Sequence, residues 1–139
     1  MTEFHFFGPT ARLHHVGLAV SSIELAKMND LEVFEDPIQK VRVGFVNVSG
    51  TNLELIEPVS EQSPVHNSIK KGHKLVHLCF ELDDLQAGID LATSYQFKVL
   101  QEPTPAVAFQ NRRIAWVYHP VWGLYELLER DKADETPSV

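Results

Sequence analysis

A chain of 139 residues with 44% hydrophobic content is long enough for one compact domain with a real core and too short for two of ordinary size. Its formal charge of −7, with basic residues scattered apart from Lys70-Lys71 and Arg112-Arg113, lacks the clustered positive field that a phosphate backbone requires, so no nucleic-acid partner is expected. No run approaches the ~18 apolar residues of a membrane span, the N-terminus has no charged start followed by a sustained apolar stretch, and the lone Cys79 has no intrachain partner, which makes a cytoplasmic, membrane-free chain the expectation.

The first element is an alternating strand. With Leu13 to Val20 extended, Val16, Leu18 and Val20 point to one face and His15, Gly17 and Ala19 to the other. Ser21-Ser22 then supply capping oxygens for a helix at about Ile23–Asn29. Strands are expected at 31–35, 41–48 and 51–57, the last two joined by the Ser49-Gly50 turn. Pro64 and Gly72 bracket a short helix in the connection that follows.

From Leu75 the pattern begins again. Leu78, Phe80 and Leu82 form one face of a strand, and Leu75, His77, Cys79 and Glu81 the other. Asp83-Asp84 cap a helix over Leu85–Ser94, and strands are expected near 96–101, 112–118 and 123–129, with a loop around Pro103–Asn111. Residues 131–139 are polar and unpatterned, which predicts a loose tail.

The two stretches are one unit used twice. LHHVGLAVSSIELA (13–26) aligns with LVHLCFELDDLQAG (75–88), placing His15 over His77, and TNLELIEP (51–58) aligns with GLYELLER (123–130), placing Glu54 over Glu126. Each unit reads β-α-β-β-β, with module one at about 12–58, a linker over 59–73 and module two at about 74–130. The expected fold is a single α+β domain, its two βαβββ modules forming a curved, half-barrel mixed sheet around a metal cleft. The second unit holds ten more residues between its His and its Glu, which a longer helix and a loop can absorb without moving strand ends. The repeat would thus bring His15, Glu54, His77 and Glu126 together on the concave face. Two imidazoles and two carboxylates suit one divalent ion with coordination positions left for substrate; cobalt, nickel, manganese and zinc are not distinguished by this set.

These segments resemble the vicinal oxygen chelate superfamily, which joins glyoxalases, bleomycin resistance proteins and dioxygenases, and within it most resemble the methylmalonyl-CoA epimerase branch. HHVGLAV (14–20) is similar to that branch's opening strand, VRVGFVNVSGTNLELIEP (41–58) to its third and fourth strands, SPVHNSIKKG with LVHLCFELDDL to its linker and fifth strand, and RRIAWVYHPVWGLYELLE (112–129) to its closing strands. The resemblance implies that Glu126 both ligates the metal and moves a proton next to a metal-bound carbonyl or thioester. It also implies a small-molecule substrate of the acyl-CoA kind and a homodimer. Two departures stand out. The branch carries a second, non-ligand glutamate where this chain reads Pro37-Ile38-Gln39-Lys40, with Glu35 and Asp36 nearby, and its Gly-rich loop is replaced here by AFQNRR (108–113).

Three functions remain open at this stage. The leading one is a metal-dependent epimerase or isomerase working by proton transfer. A lactoylglutathione lyase of the glyoxalase I kind shares the four ligands and needs one effective base, while a non-catalytic small-molecule binding protein of the same fold typically lacks the full set. His5, His14, His66 and His73 read as surface or loop residues, and Trp116 and Trp122 as core or interface.

Overall fold

The computed structural model describes residues 1–131, so the expected tail lies outside the described residues from 132 onward. Eight strands form one mixed sheet: β1 (Arg12–Ala19), β2 (Val33–Asp36), β3 (Val41–Val48), β4 (Thr51–Pro58), β5 (Leu75–Leu82), β6 (Lys98–Pro105), β7 (Arg113–His119) and β8 (Gly123–Glu129). Their order across the sheet is β2-β3-β4-β1-β5-β8-β7-β6. The order reads the same under the internal repeat, since β1 pairs parallel with β4, β5 pairs parallel with β8, and the two modules join antiparallel through β1 and β5. Among the described residues no helix is long and apolar enough to cross a membrane.

Local sequence explains the elements. The β3–β4 hairpin turns at Ser49 and Gly50, both with positive φ (52° and 90°), as the two-residue turns that match strand twist require. The linker helix α1 (Pro64–Lys70) starts on a proline whose missing N–H costs nothing in a first turn. Helix α2 (Leu85–Ser94) is capped by Asp84, whose side chain accepts from the Ala87 N–H at 3.0 Å. It buries Leu85, Ile89 and Ala92 on the outer face of the second module, together with Phe97, Val117, Tyr125 and Leu127. Gly88 lets the helix settle there, because a Cβ at that position would collide with Leu82. The N-terminal segment completes the cover: Phe7 is buried in the same core, and Phe4 stacks on Phe80 and Tyr125.

Two details differ from expectation, and a third adds to it. The first-module helix is only one 3-10 turn, Glu24–Ala26, ended by Lys27 in a left-handed conformation at φ 55°. No side chain caps it; the Ile23 N–H instead donates to Glu57 at 2.8 Å, so the segment is tied to β4 before a second turn can form. Strand β6 runs on through Pro103 and Pro105 to residue 105, which an edge strand tolerates because one side of its backbone makes no ladder. On β1 the His15, Gly17 and Ala19 face is the fully buried one, while Val16 and Leu18 are half-buried, because the sheet curls around the polar side.

The curl is nearly complete. The turn after β2 reaches the far edge of the sheet, where Gln39 Nε2 donates to Gln101 Oε1 of β6 at 3.2 Å, and β2 packs against a 3-10 turn at Val107–Phe109.

Candidate metal centre

Strand register places the site. On the concave face Gly17 of β1 lies between Glu54 of β4 and His77 of β5, its Cα partners on either side. One step along, Cys79 of β5 lies between His15 of β1 and Glu126 of β8. The two rows are related by the repeat, and together they carry all four residues that the sequence singled out.

Those four are buried, with His15 at 0%, Glu126 at 3%, Glu54 at 5% and His77 at 7% exposure. Each offers one ligand atom, and these four atoms all lie within 4.8 Å of one another. His15 Nε2 is 3.2 Å from His77 Nε2, 3.0 Å from Glu126 Oε1 and 3.4 Å from Glu54 Oε1; His77 Nε2 is 3.5 Å from each carboxylate. Donor atoms about 2.1 Å from a common centre, at the angles of octahedral or tetrahedral coordination, stand about 3.0–3.4 Å apart, so these spacings fit a single cation. The chemistry agrees. Two nitrogens facing each other at 3.2 Å need a proton or a cation between them, and Glu126 Oε1 is buried near His15 without an aligned hydrogen bond.

In the absence of a cation a proton takes that place. Burial disfavours a charged His15, but Glu126 and Glu54 outweigh it and raise the His15 pKa from 6.5 to about 9. Glu126 shows the reciprocal effect: burial pushes its pKa up, while His15 and His77 more than reverse this and hold it below the ordinary carboxylate range. Cys79, fully buried beside them, has its thiol pKa raised by burial first and by Glu126 next.

Several neighbours prepare the cluster. Gly17 has no side chain because the His77 ring lies against it: a Cβ there would come within 2.8 Å of Nε2 and 2.5 Å of Nδ1. Trp116 meets the same ring edge to face at 4.8 Å between centroids. His14 Nδ1 lies 2.8 Å from His15 Nδ1, so the neutral His14 ring can accept the proton on Nδ1 and leave Nε2 of His15 free for a ligand. Burial, then the nearby His15, lowers the His14 pKa, which favours that neutral form.

His14 was not expected here. An ideal strand would send it to the face opposite His15, but the pairing of β1 with β5 shifts register between Leu13 and His15, and strict alternation fails there. Burial of Asp36 was also unforeseen. It is 4% exposed and lines the cavity, its Oδ1 accepting from the Ile38 and Gln39 N–H groups at 2.9 and 3.0 Å. His73 lines the cavity as well, while Trp122 stays 47% exposed in the β7–β8 turn.

The cluster opens onto a cavity of about 360 Å³, inside the range of small-molecule sites. Glu54, His77 and Glu126 contribute to its wall. Gln39 and Gln101 close it on the side where the sheet edges meet.

Comparison with known proteins places this architecture. The chain is 36% identical over 117 residues to the uncharacterized protein YqjC of Bacillus subtilis (strain 168), covering 76% of this chain and 81% of that one. It is 26% identical over 119 residues to the ethylmalonyl-CoA/methylmalonyl-CoA epimerase of Cereibacter sphaeroides, covering 78% and 88%. Among solved structures, a variant of Streptomyces coelicolor methylmalonyl-CoA epimerase in complex with 2-nitronate-propionyl-CoA superposes with a TM-score of 0.68 at 26% identity, covering 91% and 98%. Residues 14–116, which include two of the four clustered side chains on β1 and β5 and Glu54 between them, match a family description, and the chain belongs to the Glyoxalase/Bleomycin resistance protein/Dioxygenase superfamily.

Proposed function

We propose that this chain is a metal-dependent enzyme that moves a proton on the carbon next to a carbonyl or thioester, in the manner of a methylmalonyl-CoA epimerase. The observation that carries the reading is the four-residue cluster of His15, Glu54, His77 and Glu126 at the wall of a cavity, its donor atoms spaced for one divalent cation. When bound, such a cation polarises a substrate carbonyl and makes the neighbouring C–H acidic. His15 and His77 would hold it through ring nitrogens and Glu54 and Glu126 through carboxylate oxygens, with His14 fixing the tautomer of His15. Glu126 is the proton carrier that the resemblance to the epimerase branch implies, and its place in the cluster and on the cavity wall, shared with Glu54, is compatible with that role. Trp116 and Phe109 line the same cavity beside it. The epimerase relatives support this substrate class, and a homodimer belongs to the same proposal, to be tested by light scattering at micromolar concentration.

Gln39 favours a second reading. It stands on the cavity wall near the place where the epimerase branch carries another carboxylate, and the nearest one here, Asp36, is engaged in capping its own turn. A single effective base suits a lactoylglutathione lyase of the glyoxalase I kind. The test is solvent deuterium exchange into methylmalonyl-CoA by the metal-loaded chain, run beside turnover of the methylglyoxal–glutathione hemithioacetal. Exchange that disappears in Glu126→Gln supports the epimerase-like reading. Hemithioacetal turnover without exchange supports the lyase, and neither activity in the metal-loaded chain would refute both.

A further inference from the structure

The shape and charge of the cavity say more about its ligand than the cluster does. Its 360 Å³ is the liquid-volume share of about a dozen water-sized groups, far more than a methyl substituent fills. Beyond the cluster the wall is mainly aliphatic, with Val41, Val43, Ile56, Val65 and Leu124 facing the space. Two further leucines line it and remain exposed to water, Leu75 at 70% and Leu100 at 55%, an arrangement that marks an apolar entrance.

Charge is equally selective. Asp36, Glu54 and Glu126 line the cavity, whereas no Lys or Arg does so among the described residues. Away from the cluster a free carboxylate or phosphate would meet mainly aliphatic walls and like charge, with the His73 imidazole as the one titratable nitrogen among the described lining residues. The polar contribution opposite is neutral, the Gln39–Gln101 amide bridge.

We infer that the cavity takes a ligand whose oxygen-donor head binds at the His15, Glu54, His77 and Glu126 cluster and whose portion lodged inside the cavity is an uncharged, mainly apolar chain or ring larger than a methyl group, any charged remainder lying beyond the leucine-lined entrance. The inference rests on the reading of the cluster as a metal centre. An apolar body loses water on entering and gains contact with the valine and isoleucine side chains, so affinity grows with its length until the space is filled. A second anionic group inside the cavity lowers affinity.

The experiment uses the cobalt-loaded chain and straight-chain 2-oxo acids from pyruvate to 2-oxooctanoate, whose two vicinal oxygens supply a common head. Binding is read from the visible spectrum of the cobalt and by calorimetry. Affinity should rise about fourfold per added methylene over the first members. 2-Oxoglutarate should bind more weakly than 2-oxopentanoate, which has the same chain length without the second carboxylate. Val65→Trp, checked for folding by its melting curve, should abolish the gain with length. If pyruvate binds but affinity stays flat or falls along the series, or if 2-oxoglutarate binds more tightly than 2-oxopentanoate, this inference is overturned and the metal centre stands. If cobalt binds but no 2-oxo acid perturbs its spectrum, the inference is overturned; if the chain takes up no cobalt, or His15→Ala takes it up unchanged, the metal-centre reading fails and the inference goes with it.

Discussion

Replacing Gly17 with alanine tests the site through a residue that donates no ligand. The Cβ would be built 2.5 Å from Nδ1 and 2.8 Å from Nε2 of His77. Ordinary contact between such atoms begins near 3.5 Å, so the ring must withdraw by about 1 Å. It has little room, because the Trp116 ring abuts it edge to face. Metal–ligand bonds tolerate only about 0.2 Å of deviation, so a retreat of that size removes His77 from coordination. Loss of one ligand in four should weaken binding by 100-fold or more, about 3 kcal/mol, against about 1–3 kcal/mol of overpacking strain in the metal-free fold. The assay is competition of zinc or cobalt against a chromophoric chelator, with melting of the metal-free protein measured in parallel. The Gly17→Ala, His77→Ala double variant should bind no more weakly than His77→Ala alone, since the first change acts only through the second residue. Wild-type metal affinity in Gly17→Ala would refute the reasoning, because His77 could not then be a ligand in the position described.

The raised His15 pKa gives a pH signature to the metal-free protein. Folded His15 keeps its proton up to about 9 while the unfolded group loses it near 6.5, so the stabilisation is complete below 6.5 and fades as pH rises through 9, by at most about 3 kcal/mol. Denaturant titrations at pH 6 and pH 9.5 should show this decline without metal and little of it with zinc bound, and a pH-independent metal-free stability would contradict the assignment. His14→Phe should lower metal affinity by 10–100-fold, and His14→Asn, which restores an acceptor for the His15 ring, should recover most of it; equal loss in both would make His14 a packing residue only. Native Cys79 should resist alkylation at pH 8 and react once the chain is unfolded in guanidinium, since burial holds its thiol protonated and out of reach; rapid labelling of the folded protein would show that the central strands open.

Legibility followed the strength of the local signal. The hairpin of β3 and β4 and the helix over Leu85–Ser94 were readable because turn residues, a capping aspartate and clear periodicities agreed. The cluster was readable for a different reason: the repeat duplicates its His and Glu positions, so two weak signals support each other. What escaped the sequence depended on the sheet as a whole. The short first-module turn reflects a tie to Glu57 on β4, a residue 34 positions away from Ile23. Extension of β6 through two prolines depends on its place at the sheet edge, which composition does not disclose. His14 joined the site through a register shift, and Asp36 was buried because the curled sheet brings the turn after β2 against its opposite edge.

The position of β1 has a consequence for how the protein is made. β1 is synthesised first among the strands, yet neither of its lateral partners is its neighbour in the chain: β4 begins at Thr51 and β5 at Leu75. Until β5 emerges, one edge of β1 lacks its native partner, and His15 stands near Glu54 with neither His77 nor Glu126 yet made. Such long loops must close before the central pairing can contribute, which predicts slow, all-or-none folding with a nascent chain that is vulnerable at that edge. A ribosome-bound chain stalled before residue 75 should therefore be protease-sensitive throughout β1, and protection should arrive only when both halves are available to meet.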